Sequence, residues 1–162
     1  MTLENPIGLT ETKVGNDSLY DRDYYLWLTQ TAKLIAEGKF SEVDAVNLVE
    51  EIEDMSRSEK RAVESNLEVL LTHLLKYQYQ HNKRSNSWRA TIAEHRRRIR
   101  KAFRDSPSLK RYFREIFAEC YQDAREQAMF ETGLPLDTFP GESPFTQEQT
   151  LNPEFLPEDS NP

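Results

Sequence analysis

Apolar residues recur at helical spacing through the middle of the chain, from Ser41 to Gln80. Eight of them are separated by three, four or eight residues, which places them on one face of an amphipathic helix: Leu48, Ile52, Met55, Val63, Leu67, Leu70, Leu74 and Tyr77. Between Leu67 and Tyr79 the apolar set widens, so this part is expected at the centre of the core. Ser56 and Glu59 form a capping-box pattern within a run that has no apolar residue, so the stretch is compatible with either one long helix or two helices.

A shorter helix is expected before this stretch. It would begin near Asp21, with Asp21 or Asp23 as its cap, and Gly38 would end it in a left-handed conformation. Ser41 and Asp44 form a second capping-box pattern, which predicts the start of the central stretch. The apolar face of the first helix is predicted at Tyr24, Trp27, Leu28, Thr31, Leu34 and Ile35.

Two further helices are predicted after the polar turn at residues 81–86. Ser87 would cap the first of them, while Ser106 would cap the second, with Pro107 at its first position. Gly133 would end the second helix. Their apolar faces are predicted at Trp88, Ile92, His95, Ile99, Ala102 and Phe103, and at Leu109, Tyr112, Phe113, Ile116, Phe117, Cys120, Tyr121, Ala124 and Ala128.

The C-terminal segment combines prolines with apolar residues. Six of the eight prolines follow Gly133, which excludes a long helix, whereas residues such as Phe139 and Phe145 favour an extended strap over the bundle. One helical turn is predicted at 146–150, and no alternating segment predicts a strand. The predicted fold is all-α, an antiparallel bundle of four to five helices. Its predicted parts are a flexible arm at 1–17, a bundle domain at 18–133 and a Pro-rich strap and tail at 134–162.

Charge is distributed unevenly along the 162 residues, whose net charge is −7. Residues 83–114 carry 12 bases and two acids, whereas residues 37–68 carry four bases and 10 acids. Either the basic segment binds nucleic acid or an acidic helix packed nearby neutralises it, and the second explanation is favoured. Cys120 is the one cysteine, which excludes an internal disulfide and favours an inert core thiol. No apolar run approaches the roughly 20 residues that span a bilayer, so we predict a cytoplasmic protein without membrane contact.

Two histidines are predicted to lie at nearly the same height of a helical hairpin. His73 precedes the turn by eight residues and His95 follows it by nine, while Glu68 and Glu94 lie near them in the sequence. These four residues form a candidate polar core site, because imidazole can transfer protons or bind metal. Two core histidines with ordinary hydrogen bonds are the favoured interpretation. Metal-binding helical motifs and phosphate-binding loops are absent, so no catalytic residue, metal ligand or cofactor is predicted.

Basic residues interleaved with Tyr77, Tyr79 and Trp88 form the best candidate ligand surface. Such a patch could neutralise phosphates and stack on bases, although Trp88 also begins an apolar face. The candidate polyanion-binding residues are Lys83, Arg84, Arg89, Arg96, Arg97, Arg100, Lys101 and Arg104.

Several segments resemble the bacterial family called domain of unknown function 29. They are Tyr24 with Leu26 and Trp27, NLVEEIEDM at 47–55, LLTHLLKYQYQ at 70–80, SWRATI at 87–92, DSPSL at 105–109, ETGLP at 131–135, and Phe139 with Pro140. The resemblance extends from about Tyr20 to Pro157, and Tyr77 stands where most relatives are expected to have Trp. It implies a small, mainly helical bacterial protein and supplies no catalytic residues.

Three functions are compatible with these patterns. The favoured one is a non-enzymatic helical interaction module, whose acidic and basic faces set partner choice or self-association. The second is a nucleic-acid-binding accessory protein that uses the segment from Lys83 to Arg114. The third is a metal-dependent or histidine-based enzyme.

Overall fold

The computed structural model describes residues 18–158, and these form six α-helices without a strand. The helices are α1 (Leu19–Arg22), α2 (Tyr24–Ala36), α3 (Ala45–Tyr79), α4 (Asn86–Asp105), α5 (Leu109–Thr132) and α6 (Gln147–Leu151), with short 3-10 helices at Phe40–Glu42, His81–Lys83 and Leu136–Thr138. The all-α prediction is confirmed. The predicted arm at 1–17 lies outside the described residues, and the other domain boundaries stay predictions. The described residues divide into two compact units, 18–53 and 54–158.

The central stretch is one continuous helix, α3. Ser56 and Glu59 lie on exposed positions inside it, so the predicted capping box there is wrong. Asp44 begins the helix by accepting a hydrogen bond from the Asn47 backbone N–H at 3.3 Å, whereas Ser41 belongs to the preceding 3-10 turn. The predicted apolar face is also wrong in its first half, because two of its residues are more than half exposed: Ile52 and Met55.

The core of the second unit lies around the C-terminal half of α3. Leu67, Leu70, Leu71, Leu74 and Leu75 are fully buried there, together with residues from α4 and α5. This burial confirms that the segment up to Tyr79 is the centre of the fold. Fully burying such a side chain contributes about 1.5–3 kcal/mol, so this half of α3 stabilises the unit strongly.

Contacts across the core give the directions of its three long helices. On α3, Thr72 and Gln80 donate to the α5 carbonyls of Ala124 and Thr132, so residue numbers on both helices increase together. Residue numbers on α4 run in the opposite direction to those on α3. His95 of α4 contacts Asn66 of α3, whereas the earlier residue Trp88 lies against the later residue Lys76. Helices α3 and α5 are therefore parallel to each other, and α4 is antiparallel to both.

The ends of α4 and α5 correct two predicted caps. Ser85, rather than Ser87, caps α4 by accepting from the Trp88 N–H at 3.2 Å. Ser106 contributes its backbone carbonyl to the Leu109 N–H instead of a side-chain cap, and α5 starts at Leu109. Gly133 ends α5 with φ of 71°, as predicted, since glycine adopts this left-handed conformation without a Cβ penalty.

The segment after Gly133 contributes to the second unit's core through Phe139 and Phe145, which are 1% and 4% exposed. The predicted helical turn is present as α6. Its capping box is complete, because Thr146 accepts from the Gln149 N–H and the Gln149 side chain accepts from the Thr146 N–H. Arg96 of α4 donates to three carbonyls of this segment, which fixes it to the helices.

The first unit is held together by an aromatic cluster and one carboxylate. Tyr20 and Tyr24 pack with Trp27, and both tyrosine hydroxyls donate to Glu51, at 2.5 and 2.6 Å. Asp23 caps α2 by accepting from the Leu26 N–H, and Gly38 with φ of 72° follows the helix, as predicted. Among the described residues of this unit, the buried ones are Trp27 and Thr31.

Candidate functional site

The predicted polar core site is divided between two places in the second unit. His95 Nδ1 lies 2.8 Å from the Asn66 side-chain oxygen, and His73 Nδ1 lies 2.8 Å from the Val69 carbonyl. Burial lowers the pKa of both imidazoles, and the positive charge of Arg98 and, to a smaller extent, that of His73 further lower the pKa of His95. Glu94 is instead bound by Arg97 and Arg98, whose hydrogen bonds lower the pKa of its carboxyl.

A cleft of about 410 Å³ between α3 and α5 brings Glu68 and His73 together. Glu68 and His73 line it from α3, and the acidic residues Asp123, Glu126 and Glu131 line it from α5. Burial, assisted by repulsion from Asp123, raises the pKa of Glu68. Within residues 18–158, no group of three or more His, Cys, Asp or Glu is arranged to hold a metal ion.

A buried lysine joins three helices beside this cleft. Lys76 Nζ lies 2.5 Å from a carboxylate oxygen of Glu131 and 4.7 Å from the ring centroid of Trp88. Although burial opposes it, hydrogen bonds from Lys76 and Gln127 lower the pKa of Glu131. Lys76, Trp88 and Glu131 come from three separate segments that carry the family resemblance. Their contacts bring these three segments together in the fold.

The predicted polyanion-binding residues occupy different environments. Arg96 is 2% exposed and donates to the carbonyls of Thr150, Phe155 and Gln149 at 2.8, 2.7 and 3.3 Å, so it lies outside the exposed basic surface. Burial lowers the pKa of its guanidinium to about 10, which leaves it charged at neutral pH. Arg96 thus holds the C-terminal segment in place.

Several exposed bases of α4 have acidic partners on the same helix. Arg97 contacts Glu94, and Lys101 and Arg104 contact Asp105, while Arg100 is exposed. The favoured explanation was that an acidic helix packed nearby neutralises this segment. It is wrong for Arg97, Lys101 and Arg104, because their acidic partners lie on the same helix. Because these carboxylates are exposed to solvent, the ion pairs contribute little to stability.

Only part of the predicted basic and aromatic patch comes together, namely Tyr77, Arg84 and Arg89. Trp88 lies against Lys76 instead, and Tyr79 packs against Phe139. Tyr77, Arg84 and Arg89 line a shallow hollow of about 390 Å³ with Ser85 and Asn86. The Arg84 guanidinium lies 4.3 Å from the Tyr77 ring centroid and donates to the Tyr77 carbonyl at 2.7 Å. Lys83 is exposed in the preceding 3-10 turn. The hollow combines positive charge with an aromatic face.

The first unit carries the most extensive exposed apolar surface of the described residues. Tyr25 is 77% exposed, Phe40 69% and Val46 70%. The other exposed large apolar residues of this unit are Tyr24, Leu26, Leu28, Ile35, Val49 and Ile52. Leu28 and Ile35 were predicted to belong to the buried face of the first helix, and this prediction is wrong because they lie on a second, outward face.

Together the helices define an all-α protein with an acidic cleft, a basic hollow and an apolar helical unit. The chain belongs to the family described as Domain of unknown function DUF29, whose model matches residues 19–156. No curated protein and no solved structure is similar enough to match the chain. Within residues 18–158, every helix is too short or too polar to cross a membrane.

Two features of these sites were not predicted from the sequence. Arg96 follows Ile92 by four residues and precedes Ile99 by three, so its place on the apolar face was visible in the helical periodicity. Lys76 similarly interrupts an almost continuous apolar run. Nothing in the local pattern, however, identifies Glu131 as its partner 55 residues away.

Proposed function

We propose that the protein is a non-enzymatic, cytoplasmic helical module that binds another protein chain through the apolar surface of residues 18–53. One observation carries the proposal: this unit has two buried residues among those described, whereas nine of its large apolar residues are exposed. Exposed large apolar residues that are concentrated in one part of a chain are typical of interaction surfaces. The cytoplasmic location is supported by the single cysteine, Cys120, which is free and buried.

The composition of this surface also fits protein binding. Tyrosine and phenylalanine supply rigid contact area and are enriched at interface centres, whereas lysine and glutamate are depleted there. Tyr25 and Phe40 provide such aromatic anchors, and Val46 and Val49 add aliphatic area at the start of α3. A metal-dependent enzyme has less support, because among residues 18–158 no group of three or more His, Cys, Asp or Glu is arranged to hold a metal ion.

Photo-crosslinking tests this function with a control from the same chain. A photoreactive phenylalanine analogue replaces Tyr25, which is 77% exposed, or Phe130 of α5, which is 74% exposed. In the cells that produce the protein, we expect adducts with a defined protein chain from position 25 and none from position 130. The adducts should disappear with Ile35→Glu and persist with Gln30→Glu, which adds the same charge elsewhere on α2. Absence of adducts, or equal adducts at both positions, would contradict the proposal.

A further inference from the structure

The outward face of α2 has a regular apolar seam. Tyr25, Leu28, Ala32 and Ile35 follow each other at steps of three, four and three residues, and all four are exposed. This is the spacing at which helices pack along a common line. The inward face of the same helix has Trp27 and Thr31, so α2 is apolar on two sides and the aromatic cluster covers one of them.

The first nine residues of α2 also lack charge, which is unusual for this chain. Charged residues make up 30% of the sequence, yet the nine residues from Tyr24 to Ala32 contain none. Exposed helix faces ordinarily have charged residues that oppose association, and such residues are depleted at interface centres. This composition favours an α2 surface that is covered by another chain.

We infer that the occupant is a second copy of this chain, with its α2 seam packed antiparallel against the first. An antiparallel two-fold pairing, with its axis level with residue 30 along the helix, places Tyr25 opposite Ile35 and Leu28 opposite Ala32. Each large side chain then meets a smaller one, which lets both rows interdigitate. The side chain of Gln30 itself lies on the other side of α2 from the seam. A parallel pairing would place Tyr25 against Tyr25 and Ala32 against Ala32, giving a clash and a gap. The same patch thus complements itself under two-fold symmetry, as isologous dimers require.

The ends of the helix add charge complementarity to this arrangement. Residues 21–27 carry two acids and one base, whereas residues 33–39, which lie opposite them in this register, carry two bases and one acid. Antiparallel pairing brings the net negative end of one copy to the net positive end of the other, and does so twice by symmetry. Parallel pairing would bring like ends together, which costs free energy.

The exposed apolar area of the unit is sufficient for a dimer of ordinary size. Using areas of about 150–250 Å² per aromatic and about 60–120 Å² per aliphatic side chain, the nine exposed residues present about 600 Å². A standard interface buries about 800 Å² per partner, of which about 57% is apolar, or roughly 450 Å². A dimer that covered three quarters of this surface would therefore bury the apolar area of a standard interface.

This inference rests on the proposed function, and sedimentation equilibrium of the purified full chain tests it. We expect the 19.0 kDa chain to form dimers at micromolar concentration. Ile35→Glu should raise the dissociation constant at least about tenfold, because the dimer would bury an unpaired charge twice. Gln30→Glu should leave the constant within about twofold, since surface substitutions away from a contact have small effects. Circular dichroism checks that both variants keep their helix content.

Disulfide trapping tests the antiparallel orientation. Cysteines can pair when their Cβ atoms approach to about 3.5–4.5 Å. An equimolar mixture of Leu28→Cys and Ala32→Cys chains should therefore oxidise to a mixed dimer faster than either variant alone. Wild type serves as the control, because its Cys120 is buried. Faster trapping of either single variant would overturn the antiparallel pairing.

The possible results separate this inference from the proposed function. A chain that remains monomeric at high concentration, while position 25 still yields adducts with a different protein, overturns self-association and leaves the interaction module intact. A monomer without adducts overturns both. A dimer that Ile35→Glu does not weaken overturns the assignment of the contact to α2.

Discussion

Replacement of Arg96 by methionine should release the C-terminal segment from the helices of the second unit. Its guanidinium is 2% exposed and donates to the carbonyls of Thr150 and Phe155 at 2.8 and 2.7 Å, with a longer bond of 3.3 Å to Gln149. Methionine keeps the unbranched shape of the side chain but removes all three bonds. The carbonyls would then be buried without partners or would pull away into water.

The size of the effect follows from these bonds. Hydrogen bonds to charged groups contribute about 1.5–3 kcal/mol each, so the two short ones contribute about 3–6 kcal/mol. Methionine avoids the desolvation of a buried charge, which offsets part of this contribution. We therefore expect the free energy of unfolding to fall by about 3 kcal/mol, equivalent to a midpoint temperature lower by about 6–12 °C for a chain of this size.

Urea unfolding followed by circular dichroism measures this loss. Arg100→Met is the matched control, because Arg100 is exposed one helical turn further along α4 and should change stability by less than about 0.5 kcal/mol. Arg96→Lys should fall between Arg96→Met and wild type, since lysine keeps the charge but lacks the planar fork. Limited proteolysis should cut residues 134–158 earlier in Arg96→Met. A variant within about 1 kcal/mol of wild type would refute the anchoring role.

Three further outcomes are expected. The free energy of unfolding should fall as the pH drops below about 6.5, because burial lowers the folded-state pKa of His73 and His95, so the unfolded chain binds protons first. Urea midpoints measured against pH should show this fall in wild type and a flatter dependence in a variant with both histidines replaced by glutamine. Since burial raises the pKa of Cys120 to about 12, its thiol should react with an aromatic disulfide at pH 8 no faster than the chain unfolds. If the basic hollow binds nucleic acid, substituting both Arg84 and Arg89 by serine should reduce the salt slope of RNA binding by about 2, and wild type that fails to bind at about 50 mM salt would reject this alternative.

The central helix and the glycine stops could be predicted from the sequence because each depends on local information. Apolar spacing from Val63 to Tyr77 identifies a buried face whatever packs against it, and Gly38 and Gly133 are the residues that a left-handed helix end favours. The helical turn after Thr146 also depends on local information. Its capping residues lie within four positions of each other.

Serine caps were the least reliable prediction, because serine is common on exposed helix faces as well as at helix ends. Ser56 fits a capping box, yet α3 continues through it since nothing there interrupts the backbone hydrogen bonds. Ser87 lies two residues inside α4, whose cap is Ser85. Choosing between adjacent serines requires the backbone conformation, which spacing alone does not supply.

The candidate sites could be predicted only in part, because they depend on long-range contacts. The sequence indicated that Tyr77, Arg84 and Arg89 would cluster, since a short turn joins their helices. It gave no indication that Arg96 meets the C-terminal segment more than 50 residues away. Two of the four seam residues of α2, Leu28 and Ile35, were assigned to the buried face because they follow Trp27 and Thr31 by one and four residues. A helix with two apolar sides looks like one wide face in sequence.

Hydrogen exchange of α2 at two protein concentrations tests the central claim most directly. An isolated helix of 13 residues is marginally stable, so its amide protection depends on what covers it. Self-association through the seam predicts that peptides covering Tyr24–Ala36 exchange at least about fivefold more slowly at 100 μM than at 1 μM, while peptides from α5 do not change. Exchange in α2 that is independent of concentration would contradict the dimer, and equal slowing in α5 would place the contact elsewhere.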